Sequence, residues 1–283
     1  MESTVVETGG HGALDFESAA DRVDVTRPHP ARRYDYWLGG SANFEADRRS
    51  ADAVAAAFPS IHFAVLENRR FLRRAVEYLT ATAGIRQFLD IGTGLPTAGN
   101  VHELAQRIAP ESRVVYVDND PIVLYHAREL LDSTPGGATA YIDGDLREPA
   151  AILNHPALTG TLDLDQPVAL MLCAVVHFLT DEMYPYDVIH TLRDALPSGS
   201  YITLTHATSD HLSIEDLDAA VEANQRSGVP FQLRSTAEFR RFFDGFDLVP
   251  PGVTSVIDWR ATEWRPHPRR EAVSMLGGMG QLR

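Results

Sequence analysis

The chain has 283 residues, of which 44% are hydrophobic, and these values suit a globular protein with a sizeable core. Its formal net charge of −14 lacks the basic footprint of a duplex-binding protein, so nucleic acid is not an expected partner. The single cysteine, Cys173, excludes an intrachain disulfide and fits a reducing cytoplasm, where we predict the protein to reside.

The first third of the chain predicts a tail and then a helical cap. Residues 1–27 are acidic and aperiodic, which predicts a disordered tail that is not a secretory signal. Helical patterns follow at 31–38, 44–57 and 61–82. We therefore predict an N-terminal helical cap over 28–84 that forms one structural unit with a core over 85–283.

From residue 85 onward, short apolar runs alternate with helical stretches. Strand patterns occur at 87–91, 113–117, 138–142, 168–173 and 201–205, with further candidates near 246–256 and 272–276. Helical patterns occur near 98–109, 121–132, 146–154, 182–196, 213–226 and 235–243. The alternation predicts an α/β fold with a mostly parallel sheet, helices on both faces and a closing antiparallel strand.

The longest apolar run is 168–176, and its first part, 168–173, is typical of a central strand that is buried on both faces. It is much shorter than the roughly 20 residues that a membrane-spanning helix needs, so no membrane association is expected. Cys173 lies inside this run, and its position predicts a core residue.

A glycine loop, FLDIGTGLPT at 88–97, follows the first predicted strand. Gly92 and Gly94 would let a ligand approach the backbone at the carboxyl edge of the sheet, although glycines also serve in a plain tight turn. Asp90 disfavours a pyrophosphate and favours a ligand that carries an ammonium group. Thr97 stands where the dinucleotide motif has its third glycine.

The next two strands also end in acidic residues. Asp118, in VVYVDNDP, could accept hydrogen bonds from ribose hydroxyls, or it could cap the following helix. Asp145, in YIDGDL, lies where an adenine would sit, with Leu146 over the ring, or it belongs to a turn around Gly144. Three successive acidic strand ends predict a nucleoside site.

These three segments resemble the first three motifs of the class I S-adenosylmethionine-dependent methyltransferases. RPHPARRYDYWLGGSANFEADR, ENRRFLRRAVEYL, VALMLCAVVHFL and LGGMGQLR are similar to one actinobacterial S-adenosyl methyltransferase family, formerly a domain of unknown function, over residues 26–283. The resemblance implies a Rossmann-like, seven-stranded sheet whose last strand is antiparallel. It implies S-adenosyl-L-methionine as the cofactor and leaves the substrate open.

The resemblance also implies roles for individual residues. Candidates that would contact the methionine part are Asp90, Gly92, Thr93, Gly94, Arg33, Tyr34, Tyr36, Asn68 and Arg69. Candidates that would contact the nucleoside are Asp118, Asn119, Asp145 and Leu146.

Two histidines are candidates for catalysis, and His177 is preferred over His206. His177 follows the fourth predicted strand and could act as a general base, which is needed only if the acceptor loses a proton. Packing at a strand end is the alternative for His177, as it is for His206 after the fifth strand. We see no metal-ligand spacing in the sequence.

The segment CAVVHF after the fourth strand lacks the Asn-Pro-Pro-Tyr motif of amino-methylating nucleic-acid enzymes. A small-molecule acceptor, methylated at an oxygen atom, is therefore the favoured prediction, by analogy with the family. The alternatives are an NAD-dependent oxidoreductase and a catalytically silent S-adenosylmethionine-binding protein. The oligomeric state is left open.

Overall fold

A computed structural model of the chain describes residues 22–130, 133–261, 266 and 268–283. Most of the predicted tail, residues 1–21, lies outside the described residues. Three helices precede the sheet: α1 (Pro30–Trp37), α2 (Glu45–Ala57) and α3 (Ile61–Ala81). The later described helices are α4 (Val101–Ile108), α5 (Pro121–Leu130), α6 (Pro149–Leu153), α7 (Pro156–Thr161), α8 (Pro185–Asp194), α9 (Ile214–Arg226) and α10 (Thr236–Arg240). None of the described helices is both long and apolar enough to cross a lipid bilayer.

Local sequence signals set where several of these helices begin. Five described helices, α1, α5, α6, α7 and α8, start with a proline, whose fixed φ suits the first turn and whose missing N–H is not needed there. The helix α10 begins with a capping box in which Ser235 and Glu238 bond each other's backbone N–H groups.

The strands form one sheet at the centre of the described chain. They are β1 (Gln87–Ile91), β2 (Arg113–Asp118), β3 (Ala138–Asp143), β4 (Ala169–Leu172), β5 (Tyr201–Ala207), β6 (Phe246–Leu248), β7 (Thr254–Ser255) and β8 (Met275–Leu282). The strand order is β3-β2-β1-β4-β5-β8-β6, and the two-residue β7 pairs beside β8. The first five strands are parallel and β8 is antiparallel to β5, which confirms the predicted α/β fold and its antiparallel last strand.

The position of the last strand differs from the sequence prediction. The candidate at 272–276 is wrong in its bounds, since β8 covers Met275–Leu282, and the candidate at 246–256 is two short strands. The reason lies in the glycines of LGGMGQL, which weaken the strand signal because they carry no side chain. A Cβ atom on Gly277 would lie 2.7 Å from Cε2 of Phe71 in α3, so glycine lets that helix pack directly on β8.

The core lies on both faces of the sheet. In β1, Phe88 packs on the face covered by α3 and α4, whereas Leu89 and Ile91 pack on the opposite face. All three side chains are at most 1% exposed, as expected for a strand buried on both faces. Burial on both sides fixes the carboxyl end of β1, from which the glycine loop extends.

Buried ion pairs hold the N-terminal helices on the sheet. Arg32 Nε of α1 lies 3.0 Å from Asp120 Oδ2, just after β2, and 3.6 Å from Asp47 Oδ1 in α2. His29, the N-cap of α1, also pairs with Asp120, with 2.8 Å between Nδ1 and Oδ2. Since Arg32, Asp47 and Asp120 are each at most 4% exposed, these contacts position α1 above the carboxyl edge of the sheet.

Candidate functional site

A cavity of about 500 Å³ opens between α1, α3 and the carboxyl ends of the parallel strands. Its volume lies within the range of small-molecule and cofactor sites, about 300–1,000 Å³. The structure brings together at this cavity eleven of the candidates that the sequence suggested: Tyr34, Asn68, Arg69, Asp90, Gly92, Thr93, Gly94, Asp118, Asn119, Asp145 and Leu146. It does not bring Arg33, Tyr36 or His177 there.

The glycine loop needs its glycines for backbone geometry. Gly92 and Gly94 have φ values of +76° and +69°, in the left-handed region that other residues rarely adopt. A Cβ atom on Gly92 would also lie 2.5 Å from Cγ2 of Val175, whereas one on Gly94 would meet nothing within 4 Å. The Thr93 hydroxyl donates to the Asp90 carbonyl at 3.0 Å and closes the turn.

Asp118 fixes the loop from the neighbouring strand. Its Oδ2 accepts from Gly94 N at 2.7 Å, and its Oδ1 accepts from Asp120 N at 3.0 Å. Burial raises the pKa of the Asp118 carboxyl overall, although the charge of His29 and the two N–H donors act against that rise. A carboxylate has about four lone-pair positions, so Asp118 retains capacity for further donors.

Asp145 lies at the rim beyond β3. Its Oδ2 accepts from Asn119 Nδ2 at 2.8 Å, and its Oδ1 accepts from Arg147 Nε at 2.9 Å. Burial alone would raise the pKa of the Asp145 carboxyl, but the Arg147 and Asn119 hydrogen bonds lower it overall, which keeps the group ionised. Leu146, 6% exposed, gives this end of the cavity an apolar surface.

Hydrogen-bond acceptors and the Arg69 guanidinium lie together at the end of the cavity opposite Asp145. Asp90 is 7% exposed, and burial raises its pKa to about 7 despite the nearby positive charge of Arg69. Asn68 Nδ2 donates to the Tyr34 hydroxyl at 2.9 Å, while Asn68 Oδ1 is buried without a partner among the described residues. Arg69 Nη2 donates to the carbonyl of Gly99 at 3.1 Å, beside the glycine loop. This end can accept hydrogen bonds from an ammonium group and present a guanidinium to a carboxylate.

The structure separates the two tyrosine candidates of the first helix, and it adds cavity residues that the sequence did not suggest. Tyr34 lines the cavity, whereas Tyr36 turns outward and donates to Asp52 Oδ1 at 3.1 Å on the surface. His29 reaches the cavity because it caps α1. Cys173, predicted as a core residue, packs against the core but also lines the cavity wall. No signal in the sequence pointed to His29.

His177 lies outside this cavity, in a one-turn helix after β4. It is 4% exposed and packs against Phe178 and Phe231, with ring centroids 4.4 and 5.0 Å away. Burial lowers the pKa of His177 well below its ordinary value, and electrostatic repulsion from the neighbouring His206 and Arg33 acts in the same direction, so the ring is neutral. It borders a second, smaller cavity instead.

His206 is held by two neighbours and lines neither cavity. Its Nε2 accepts from Arg234 Nη1 at 2.9 Å, so its Nδ1 carries the proton and donates to the Ala207 carbonyl at 2.6 Å. Burial lowers the pKa of His206 to about 3. Both ring nitrogens of His206 are engaged in hydrogen bonds within the protein, which favours a packing role over a catalytic one.

The strand order, the antiparallel last strand and the acidic strand ends around one cavity define a Rossmann-like class I methyltransferase. The family model described as S-adenosyl methyltransferase matches residues 16–283, and the chain belongs to that family. It is thus an S-adenosylmethionine-dependent methyltransferase whose cofactor is S-adenosyl-L-methionine, which decides against the NAD-dependent oxidoreductase.

Two solved structures are similar over nearly the whole chain. A DUF574 family protein from Streptomyces avermitilis MA-4680 is 42% identical, with a TM-score of 0.89 over 93% of this chain and 100% of that one. A putative methyltransferase from Thermobifida fusca YX is 38% identical, with a TM-score of 0.85 over 92% and 97% of the two chains.

Two matches of lower sequence identity say less about this chain. Magnesium protoporphyrin IX methyltransferase from Synechocystis PCC 6803, solved with bound S-adenosylmethionine, shares the fold alone, at 13% identity and a TM-score of 0.51 over 97% of this chain and 100% of that one. A dihydroorotase from Bacillus licheniformis is 24% identical over 191 residues, which span 67% of this chain but only 40% of that enzyme.

Proposed function

We propose that the chain holds S-adenosylmethionine in the 500 Å³ cavity and methylates a small-molecule acceptor at an oxygen atom. The observation that carries this proposal is the convergence of Asp90, Asp118 and Asp145, from three successive strands, on one cavity of cofactor size. In the reaction, the acceptor oxygen bonds to the cofactor's methyl carbon, the carbon–sulfur bond breaks with its electron pair left on sulfur, and a hydroxyl proton passes to water.

The buried acceptors fit the methionine end of the cofactor. Asp90 and the unpartnered Asn68 Oδ1 would accept from its ammonium group, and Arg69 would donate to its carboxylate. Without such a ligand, a buried amide oxygen loses the hydrogen bonds that it makes in water, at about 1–3 kcal/mol. The missing hydrogen bond of Asn68 Oδ1 therefore supports a ligand that carries a hydrogen-bond donor at this position.

The opposite end fits a nucleoside. Asp118 would accept from the ribose hydroxyls with the lone pairs that Gly94 leaves free, while Asn119 orients the Asp145 carboxylate. Asp145 would accept from the exocyclic amine, and Leu146 would cover the adenine ring. Gly92 and Gly94 keep the backbone between the two ends free of side chains.

The placement of α1 over the cavity supports a small acceptor. Pro30, Tyr34 and Leu38 line it from above, so the cavity is roofed by a helix that the Arg32 ion pairs hold in place. The net charge of −14 also supports a small acceptor, since it disfavours a polyanion such as a nucleic acid.

Calorimetry with S-adenosylhomocysteine and NAD, on wild-type protein and two variants, tests the cofactor site. We expect binding of S-adenosylhomocysteine but not NAD, and about tenfold or greater weakening in Asp118→Ala. Asp143→Ala is the matched control, because Asp143 ends the adjacent strand, pairs with Arg22 and does not line the cavity. Equal affinities in both variants, or tight binding of NAD alone, would overturn the proposal.

A turnover assay separates an enzyme from a silent binder. Formation of S-adenosylhomocysteine in the presence of phenolic and carboxylic acceptors would support catalysis, and it should stop in Asp118→Ala but not in Asp143→Ala. Cofactor binding with no turnover on any acceptor tried would favour the silent-binder alternative.

A further inference from the structure

A second cavity, of about 100 Å³, lies beside the cofactor cavity, between α1, α2, α9 and the ends of β4 and β5. Its wall is mostly apolar and includes Trp37, Val54, Phe58, Ile61, Phe231 and Met275. Four residues line both cavities: Pro30, Tyr34, Ala174 and Phe178. The two spaces are therefore separated by single side chains.

The shared wall lies on the side where the proposed methionine end of the cofactor would be. In the proposed binding mode the nucleoside lies at the acidic ends of β2 and β3. Because β4 lies on the other side of β1, the methionine end of the cofactor would face β4. Ala174, two residues after β4, has a left-handed φ of 58°, and its N–H donates to Thr205 Oγ1 at 2.8 Å. Such a conformation costs a non-glycine residue on the order of 1 kcal/mol, and strain of this kind is concentrated at functional sites.

The second cavity contains a buried cation. Arg33 is 2% exposed, and its guanidinium lies near the rings of Trp37 and Phe178, at 5.5 and 6.0 Å from their centroids. Its side chain donates to Ser50 Oγ at 3.3 Å, and no carboxylate of the described residues lies within 4.0 Å of it. Burial lowers the pKa of Arg33 to about 10, although the negative charge of Asp47 acts against that shift, so Arg33 stays charged at neutral pH.

Two buried nitrogen atoms at this cavity have no hydrogen-bond partner among the described residues. They are Nε of Arg33 and Nδ1 of His177, both on side chains that line the cavity. Buried polar atoms in proteins are paired with few exceptions, and a buried charge needs a counter-charge. An anionic group bound in the cavity would give the Arg33 guanidinium a direct counter-charge, since the negative charge of Asp47 acts on it only from beyond 4.0 Å.

The size of the cavity limits the occupant. An engineered apolar cavity of about 150 Å³ binds benzene, so a space of about 100 Å³ excludes a fused ring system, and a single substituted ring would have to extend toward the adjoining cofactor cavity. Aromatic walls favour a flat ring through offset and edge contacts. Resting on the proposed function, we propose that this cavity is the acceptor site and that it takes a single-ring aromatic acid whose carboxylate pairs with Arg33.

Matched acids and amides test the proposal. Calorimetry would measure 4-hydroxybenzoate and phenylacetate against 4-hydroxybenzamide and phenylacetamide, each in the presence of S-adenosylhomocysteine. In wild-type protein we expect at least one acid to bind about tenfold or more tightly than its amide, since a charge-assisted hydrogen bond is lost with the amide. Arg33→Met should remove this preference. Arg49→Met is the control, because Arg49 is an exposed arginine of α2, and it should keep the preference.

A second variant keeps the test decisive if Arg33→Met does not fold. Ala57→Leu adds volume at the cavity wall and retains Arg33, so it should weaken both acid and amide while leaving S-adenosylhomocysteine binding unchanged. Equal binding of acids and amides to wild-type protein, or no binding of either to protein that binds S-adenosylhomocysteine, would overturn the acceptor proposal alone. Failure to bind S-adenosylhomocysteine would overturn the proposed function and this inference with it.

Discussion

Asp90 illustrates how a single buried carboxyl can respond to the charge of a ligand. Its pKa is raised to about 7 by burial, with the Arg69 charge opposing that rise. A cofactor ammonium beside it would favour the ionised form and lower the pKa. Binding below pH 7 then requires the loss of a proton, whereas binding above pH 7 does not.

We therefore predict that cofactor affinity is constant above about pH 7 and falls by up to tenfold per pH unit below it. Calorimetry with S-adenosylhomocysteine between pH 5.5 and 8.5 measures this profile. The pKa of Asp118 is also raised, so the variant Asp90→Asn is needed to distinguish the contributions of the two carboxyls to the pH dependence. This variant should bind S-adenosylhomocysteine more weakly, and its affinity should depend less on pH. A wild-type affinity that does not change between pH 5.5 and 8.5 would contradict the assignment.

The same carboxyl predicts a stability effect in the ligand-free protein. The folded state keeps the Asp90 proton up to about pH 7, while the unfolded chain loses it near 3.8, so stability falls as pH rises through this window. Asp90→Asn does not titrate, and at pH 8 it should raise the free energy of unfolding by on the order of 2–4 kcal/mol. Urea unfolding at pH 5 and pH 8 measures the difference, and a variant less stable than wild type at pH 8 would refute it.

Some site residues could be predicted from the sequence because they are tied to strand ends. Asp90 and Asp118 lie at the carboxyl ends of β1 and β2, Asp145 follows β3, and parallel strands bring these ends to one edge. Tyr34 could not be separated from Tyr36, because the rotation of α1 is set by contacts with residues distant in sequence. His177 lies at a strand end as expected, but the packing that turns it toward the second cavity has no local signal.

At the scale of elements, the glycines of β8 set the distance between the sheet and its covering helix. They lowered the strand signal in the sequence, yet Gly277 faces the Phe71 ring so closely that a methyl group would overlap it. The parallel strands were predicted within a few residues, since buried apolar runs carry a strong signal. The strand β8 was misplaced because its identity depends on what packs against it.

Gly277→Ala should therefore lower the free energy of unfolding by about 1–3 kcal/mol, the usual range for overpacking in a core. Gly160→Ala is the matched control, since Gly160 lies in the helix α7 with no atom within 4 Å of a built Cβ. Alanine there should be neutral or stabilising by about 0.5–1 kcal/mol. Urea unfolding of both variants measures the contrast, and similar losses would show that close packing at β8 is not the cause.

At the scale of the whole molecule, the helices before the sheet and the cofactor cavity depend on one set of buried charges. Asp120 pairs with both His29 and Arg32, while Pro30 and Tyr34 of the same helix line the cavity. Burial would raise the pKa of the Asp120 carboxyl, but the hydrogen bond and charge of His29 and the charge of Arg32 lower it overall. The ionised carboxylate thus holds α1 over the site.

Asp120→Asn removes this charge and keeps the acceptor oxygen for the N–H of Ile122, so α5 should still begin at Pro121. Because Arg32 would lose its closest counter-charge in a buried position, we expect unfolding to become easier by about 2–4 kcal/mol. The affinity for S-adenosylhomocysteine should also fall by about tenfold, since α1 is the roof of the cavity. Urea unfolding and calorimetry on the same preparation measure the two effects.

Asp247→Asn is the control for this pair of measurements. It breaks an exposed ion pair with Arg283, which contributes little to stability because water and salt screen it, and it lies away from both cavities. We expect little change in either quantity. An Asp120→Asn protein that is destabilised but binds S-adenosylhomocysteine as tightly as wild type would show that the helix α1 can loosen without opening the cofactor site, and the proposed coupling between the ion pairs and the cavity would then be wrong.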